Sequence, residues 1–170
     1  MLPADRKPVS GEVTGWLARN AIRLISLTAG TSTSDLQPLK GVLDGVRVMG
    51  IGESTHGTRE FCRLEHRLLK FLVTELGFSV LAMEASASAA PAVDAHVLHG
   101  VGDGAEAVAE LGFWTWRTYE VLAVIEWMRA YDRGHPKPRR CASWALIPNS
   151  AGLPHGARRC AAARGTRSCA

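Results

Sequence analysis

Long apolar runs are missing from this sequence. No stretch approaches the roughly 20 consecutive apolar residues that a transmembrane helix needs, and the first ten residues, MLPADRKPVS, lack the apolar centre of a secretory signal. These absences predict a cytoplasmic protein with no membrane partner. What remains is ordinary for a globular chain, because 46% of its 170 residues are apolar, which is enough for one domain with its own hydrophobic core.

Acidic residues are absent from the last part of the chain, residues 134–170, which holds seven of the 20 lysines and arginines. The preceding part therefore has 13 basic against 16 acidic residues and is mildly acidic. Folds that bind nucleic acid usually present a strongly basic surface, so we predict no nucleic-acid partner. Residues 134–170 also show neither the helical nor the strand period. We interpret them as a basic Ala/Arg-rich tail that is either disordered or the non-native product of a reading-frame error.

Closely spaced metal-ligand motifs are also absent. The cysteines form no CxxC pair, the sequence has no HExxH motif, and Cys62 is the one cysteine before residue 134. Because protein metal sites commonly use such spacings, we expect neither a metal nor another cofactor. On ligand type alone, Glu53, His56 and Glu84 remain an alternative metal-binding set. Cys62 is interpreted as a small packing residue of a helix.

Apolar periodicity predicts an alternation of helices and strands. Val46 to Ile51 and Phe78 to Met83 are short apolar runs typical of buried strands, and residues 58–76 between them place Phe61 and Leu64 on one stripe of a helix. Two strands joined by one helix form a right-handed unit with parallel strands. The predicted fold class is therefore α/β with a parallel βαβ core and several helices. Those further helices are predicted over residues 13–27, 35–43, 85–99, 105–111 and 118–133.

The same pattern divides the chain into three parts. Residues 1–34 are a polar lead-in followed by a helix, and residues 35–133 contain the α/β unit with the helices that follow it. Residues 134–170 are the basic tail. No internal repeat is present, so we expect a single domain rather than an array of repeated units.

A polar loop carrying Glu53 and His56 follows the first predicted strand. In open α/β sheets the loops after the carboxyl ends of strands form the ligand crevice, and Glu84 ends the second strand at the same edge. A histidine that removes a proton from water needs its other ring nitrogen held by an acceptor, which Glu53 or Glu60 can supply. We therefore predict an acid/base site composed of Glu53, His56, Glu60 and Glu84.

These residues also have structural interpretations. His56 and Glu60 could cap the helix that follows them. Glu84 could form an ion pair with Arg59 or Arg63, because a carboxylate at the end of an apolar strand is costly unless it is paired or open to a crevice. The two interpretations make different predictions about which atoms these side chains contact.

Trp114 and Trp116 are the candidate substrate-binding residues. Two tryptophans this close can line an apolar pocket, or they can pack the following helix onto the sheet. A nucleophilic role for Ser54 is not favoured, since the second glycine of the G-x-S-x-G elbow is missing. The other histidines, His66 and His96 among them, show no partner pattern and are interpreted as surface or helix residues.

Several motifs in series resemble the erythromycin esterase family. They are Gly52-Glu-Ser-Thr-His-Gly-Thr-Arg-Glu-Phe61, Leu76-Gly-Phe78, Ala82-Met-Glu-Ala85, Gly100-x-Gly102, Phe113-Trp-Thr-Trp116 with Glu120, and Trp127-Met-Arg-x-Tyr131. The resemblance covers about residues 35–140 in the right order. It implies that residues 35–133 are the N-terminal part of a larger erythromycin esterase-like fold.

The resemblance also implies a chemistry. Members hydrolyse an ester, in the best-known cases the macrolactone of erythromycin, with water and without a metal. The histidine matching His56 would be the general base, assisted by carboxylates matching Glu53 and Glu84. The implied partner is a small-molecule ester, but its identity and the link to macrolide resistance do not transfer with the fold.

The chain departs from the family in its length and in its last part. Members are usually more than twice as long, and the family's second active-site histidine comes from the half missing here. After His135-Pro-Lys-Pro138 an expected strand is replaced by Arg140-Cys-Ala-Ser-Trp144. We therefore expect a truncated family member that is inactive alone. The alternative is a ChaN-like haem-binding module in which His56 is the ligand, and a Soret band lost in His56→Ala would favour it.

Overall fold

The structure, a computed structural model, describes residues 10–86, 88–135 and 144–146. In chain order its regular elements are α1 (Gly11–Asn20), α2 (Leu39–Val42), α3 (Arg59–Leu76), β1 (Leu81–Met83), α4 (Ala90–Asp94), α5 (Gly104–Ala109), α6 (Tyr119–Gly134) and β2 (Trp144–Leu146). Single 3₁₀ turns lie at Ser34–Leu36 and Trp114–Trp116, and a π-helical turn over Ala95–His99 extends α4. The described chain is therefore rich in helix and poor in strand.

The helix predicted over residues 58–76 is confirmed as α3. It begins after Thr58 and ends at Gly77, whose φ is +74°. This left-handed conformation brings the amide of Phe78 to the carbonyl oxygen of Leu72 at 3.1 Å. Glycine adopts the conformation without the steric penalty of a side chain, so the stop of α3 is encoded locally.

The last long helix is also confirmed, since α6 matches the helix predicted over residues 118–133. The hydroxyl oxygen of Thr118 accepts a hydrogen bond from the amide of Val121 at 3.2 Å and caps its first turn. The helix predicted over residues 85–99 starts later than expected, at Ala90.

The hydrophobic core forms where α3 and α6 pack together and against the helices from α4 to α5. Burial of apolar side chains is the main favourable term in folding, and this cluster supplies it. Its buried members are Leu69, Val73, Ala85, Ala89, Val93, Val97, Ala107, Val108, Leu111, Val121, Ile125 and Met128. The core therefore lies between helices, with β1 packed against its side.

Arg67 is the exception on α3, because its charged side chain is fully buried. Its guanidinium donates to the carbonyl oxygens of Ser26 and Ser32 at 2.8 and 2.5 Å and to the carboxylate of Asp35. A buried charge is tolerated when it is paired and hydrogen-bonded in this way. Arg67 thus ties residues 26–35 to α3.

The helix predicted over residues 13–27 is shorter in the structure and ends at Asn20. The segment after it serves the Arg67 network instead, since the amide of Ile25 donates to Asp35 at 2.8 Å and the carbonyl of Ser26 accepts from Arg67. Those backbone groups are then unavailable for helical hydrogen bonds. Tertiary contacts override the local helical pattern here.

The strand predicted over residues 46–51 is wrong, because this segment forms no ladder with the sheet that the structure describes. That sheet contains β1 and β2, paired in parallel with Leu81 opposite Trp144. Val48 is 87% exposed, so burial of its side chain does not stabilise a strand here. The predicted parallel βαβ core is therefore not confirmed.

Two further sequence predictions concern the rest of the chain. Among the described residues, no helix combines the length and apolar character needed to cross a bilayer. The basic tail predicted for residues 134–170 lies outside the described residues, apart from its first two residues and β2.

Candidate functional site

A cavity of about 630 Å³ lies between α3, β1, α6 and the irregular segment before Ser54. Its walls combine apolar side chains with a small number of polar ones, which is the usual character of a small-molecule site. The residues with ionisable side chains in its lining are Arg47, Glu53, His56, Cys62, Glu65, His66, Glu84 and Glu120. The cavity therefore contains three of the four residues predicted to form the acid/base site.

His56 and Glu53 are in direct contact. Nδ1 of His56 lies 2.5 Å from Oε1 of Glu53, and because a carboxylate accepts, Nδ1 carries the proton. In the neutral form of the ring, Nε2 is then the unprotonated acceptor. The His56 side chain is 73% exposed whereas that of Glu53 is 14% exposed, so a largely buried carboxylate holds an accessible imidazole.

The helix-capping interpretation of His56 is not what the structure shows. Thr58 precedes α3 but makes no side-chain cap bond to it. Its hydroxyl instead lies 2.6 Å from that of Thr55. The imidazole of His56 is bonded to Glu53 in place of a helix amide, which leaves it oriented by the carboxylate.

Glu84 follows β1 directly and lines the same cavity. The ion pair suggested for it with Arg59 or Arg63 is not found among the described residues. Both arginines approach Glu120 instead, with Nε to Oε1 distances of 3.2 and 3.8 Å. Trp116 fixes the backbone beside Glu84, because its indole N–H donates to the Glu84 carbonyl oxygen at 2.9 Å.

The other predicted residues divide between the cavity and the surface. Trp116 lines the cavity, but Trp114 does not and is 71% exposed. The Trp114 ring covers Gly57, where an added Cβ would lie 3.0 Å from it, and Gly57 has a φ of +71°. Glu60 is exposed in the first turn of α3 and is not part of the cavity lining.

Three residues of α3 with ionisable side chains, which sequence reasoning did not assign to the site, also line the cavity: Cys62, Glu65 and His66. Burial raises the pKa of the Glu65 carboxyl, with a further contribution from the charge of Glu53. Burial also raises the pKa of the Cys62 thiol, as do the nearby carboxylates, first among them Glu65. Burial and then Lys70 lower the pKa of His66 to about 4.

A signal for these residues exists in the sequence, because positions 62, 65, 66 and 69 share one helical face. The periodicity prediction instead placed the buried stripe on the neighbouring positions of Phe61 and Leu64, which are half-buried. Among the described residues, no three histidine, cysteine or acidic side chains are grouped so that they could hold a metal ion.

The chain is similar to one family of known proteins. Residues 73–145 match the model of the erythromycin esterase family. The resemblance predicted from the motifs is thereby confirmed for this part of the chain.

Three individual proteins are also similar to this chain. YbfO of Bacillus subtilis strain 168 is 32% identical over 123 residues, which make up 71% of this chain and 26% of that protein. Erythromycin esterase type II of Escherichia coli is 29% identical over 102 residues, 58% of this chain and 23% of that one. A Bacillus cereus protein of known crystal structure is 30% identical with a TM-score of 0.72, covering 82% of this chain and 33% of that protein. The chain thus spans about a quarter of the curated relatives it matches.

Proposed function

We propose that this chain carries the general-base part of an erythromycin esterase-like site that hydrolyses a carboxylic ester. The observation that supports the proposal is the contact between Nδ1 of His56 and the Glu53 carboxylate at the cavity wall. Such a contact selects the tautomer in which Nε2 accepts a proton, and it stabilises the imidazolium formed when it does so.

The reaction then follows ordinary ester hydrolysis. Nε2 of His56 takes a proton from water as its oxygen attacks the ester carbonyl, and a tetrahedral oxyanion forms. Collapse of this intermediate breaks the carbon–oxygen bond to the leaving alcohol, which must be protonated if it is a poor leaving group. General-base action of this kind contributes about 10² to 10⁴ in rate.

Glu84 and Glu60 have different proposed roles. Glu84 faces the cavity, and its carboxylate would stabilise the imidazolium of His56 together with Glu53. Glu60 lies outside the cavity lining, in the first turn of α3. A negative charge at this end of a helix interacts favourably with the helix dipole and stabilises the helix. We assign Glu60 an indirect role: it stabilises the first turn of α3, which follows the loop that carries His56.

The walls of the cavity indicate an apolar substrate. Met49, Ile51 and Leu69 line it together with Trp116, and apolar walls bind the carbon skeleton of a ligand while polar groups orient it. We propose a carboxylic ester with an apolar body as the substrate, of which a macrolactone is one example. No metal takes part in the proposed mechanism.

The base role is tested with 4-nitrophenyl esters, because 4-nitrophenolate leaves without being protonated. The inactivity expected of the chain alone therefore applies to esters whose leaving group must be protonated. We expect the chain to hydrolyse 4-nitrophenyl esters and His56→Asn to lower kcat/KM by about 10² to 10⁴. His99, exposed at the end of the π-helical turn, provides the control variant His99→Asn. Equal rates for the wild type and His56→Asn would contradict the base role.

Alkyl esters test the completeness of the site. The resemblance assigns the family a second active-site histidine. Among the described residues, the histidines that line the cavity are His56 and His66, and neither is proposed to protonate a poor leaving group. We expect no hydrolysis of ethyl esters or macrolactones above the buffer rate, measured by product chromatography. Turnover of these esters by the chain alone would show that its site is complete.

A further inference from the structure

His66 is a histidine of the cavity that the proposed mechanism does not use. It lies on α3, three residues before Leu69 and therefore on the same helix face, and both side chains line the cavity. Its ring centroid is 5.9 Å from that of Trp127 on α6, with the two planes tilted by 56°. His66 is thus held between the two long helices of the core.

The Nε2 atom of His66 is buried and has no hydrogen-bond partner among the described residues. Folded proteins rarely leave such an atom unpaired, because it loses its bonds to water without replacement. Burial and then Lys70 lower the pKa of the ring to about 4, so it is neutral at pH 7. A neutral imidazole offers one donor and one acceptor.

The cavity beside His66 is bounded largely by apolar groups. Leu72, Phe78 and Val124 line it as well, and none of these side chains can bond to an imidazole. A polar atom on an otherwise apolar ligand would therefore find its partner in His66. Because a site built to bond a polar group rejects the analogue that lacks it, His66 can set specificity without touching the reacting ester.

We propose that the His66 imidazole turns about its Cβ–Cγ bond toward the cavity and that Nε2, which is buried in the free chain, then hydrogen-bonds a hydroxyl group on the apolar body of the ligand. His66 is in that case a specificity-determining residue. A hydroxyl fits because it can donate or accept, whichever tautomer is present. A carboxylate would be repelled, since Glu53 and Glu65 line the same cavity. That the ligand is an ester substrate rests on the proposed function, whereas the hydrogen bond itself does not.

The kinetic test compares 4-nitrophenyl octanoate with 4-nitrophenyl hydroxyoctanoates that carry the hydroxyl at successive carbons distant from the ester. For each variant we compare the KM of a hydroxylated ester with that of 4-nitrophenyl octanoate. For at least one hydroxylated ester, we expect this ratio to be about three- to tenfold lower in the wild type than in His66→Leu. The values of kcat should be similar. His66→Gln, which keeps a hydrogen-bonding group, should restore part of the preference, and His99→Leu should not change it.

Binding of octanamide and the corresponding hydroxyoctanamides, followed by tryptophan fluorescence, separates this inference from the proposed function. If the chain hydrolyses nothing but the wild type binds a hydroxyoctanamide preferentially and His66→Leu does not, the hydrogen bond is supported and the esterase proposal fails. If the relative affinities are the same in the wild type and His66→Leu, the inference is overturned. A similar gain of affinity for octanamide and for the hydroxyoctanamides in His66→Leu would also overturn the inference. His66 would then merely lower the affinity for apolar ligands.

Discussion

Arg67 organises the N-terminal part of the described chain through one buried guanidinium. It bonds the backbone at Ser26 and Ser32 and the side chain of Asp35. The hydrogen bond from Arg67 holds the pKa of the Asp35 carboxyl well below its usual range, and the amide of Ile25 adds to the effect. A single residue therefore fixes a loop that has few apolar contacts of its own.

The first prediction at the residue scale concerns this pair. Arg67→Met should lower the free energy of unfolding by about 3–5 kcal/mol, because it leaves a carboxylate and two carbonyl oxygens without their donor. Urea denaturation followed by circular dichroism measures it. Arg63→Met, one turn earlier and half-exposed, should change stability by less than about 1 kcal/mol. Equal effects of the two variants would contradict the importance of the network.

His66 leads to a prediction of pH dependence. Its pKa is about 4 in the folded chain against an ordinary value of 6.5. Between these two pH values the unfolded chain binds a proton that the folded chain excludes, so the free energy of unfolding rises with pH, by at most about 1.4 kcal/mol per pH unit. Above pH 6.5 this contribution is constant.

His66→Leu should remove that part of the slope, and urea denaturation at several values between pH 4.5 and pH 7.5 measures it. The variant should lose less stability than the wild type on acidification from pH 6.5, while His99→Leu should follow the wild type. An unchanged slope in His66→Leu would show that His66 is protonated equally well in both states.

At the scale of elements, the limits of the long helices α3 and α6 were more predictable than the face that a helix buries. The sequence predicts α3 and its stop at Gly77 because a left-handed glycine is a local feature. It also predicts a helix near α1, yet no residue of α1 is buried, and Trp16 is 57% exposed. Which face a helix buries depends on what packs against it, and this is a tertiary property.

The prediction for this scale is the stop of α3. Gly77→Ala should lower the free energy of unfolding by about 1 kcal/mol, since alanine is strained at a φ of +74°. An added Cβ would meet nothing within 4 Å there, so the cost is purely conformational. Thermal unfolding measures it. Gly41→Ala, within α2 and equally open, is the control and should be neutral or slightly stabilising.

On the scale of the whole molecule, the sheet and the last part of the chain are linked. β1 pairs with β2 at residues 144–146, and the family match ends at residue 145. The basic composition of the tail nevertheless begins earlier, at residue 134. The reading-frame hypothesis for this tail therefore depends on how far the family pattern extends in the gene.

The nucleotide sequence across codons 134–170 and downstream, translated in all three frames, tests that hypothesis. We expect another frame to resume the family pattern and to supply the second histidine. Assays would then belong on the product of the repaired frame, with His56→Asn as its inactive control. If no other frame continues the pattern, the tail is genuine and the hypothesis of a frame error is wrong.

The sequence by itself determined the features that depend on interactions between residues close together in the chain. The long helices, the stop at Gly77 and the loop that carries Glu53 and His56 follow from local periodicity and short spacing, because backbone conformation and contacts three residues apart need no distant partner. The same reasoning also found Glu84 as an unusual carboxylate after an apolar run.

Only the tertiary structure decided which distant groups meet. It pairs β1 with β2, and the sheet described over residues 81–83 and 144–146 does not include Val46 to Ile51. The tertiary structure buries Arg67 against residues 26–35. It also places Glu65 and His66 of α3 in the lining of the cavity that contains His56. Burial and pairing depend on surfaces far apart in the chain, and a periodic pattern carries no information about which of them pack together.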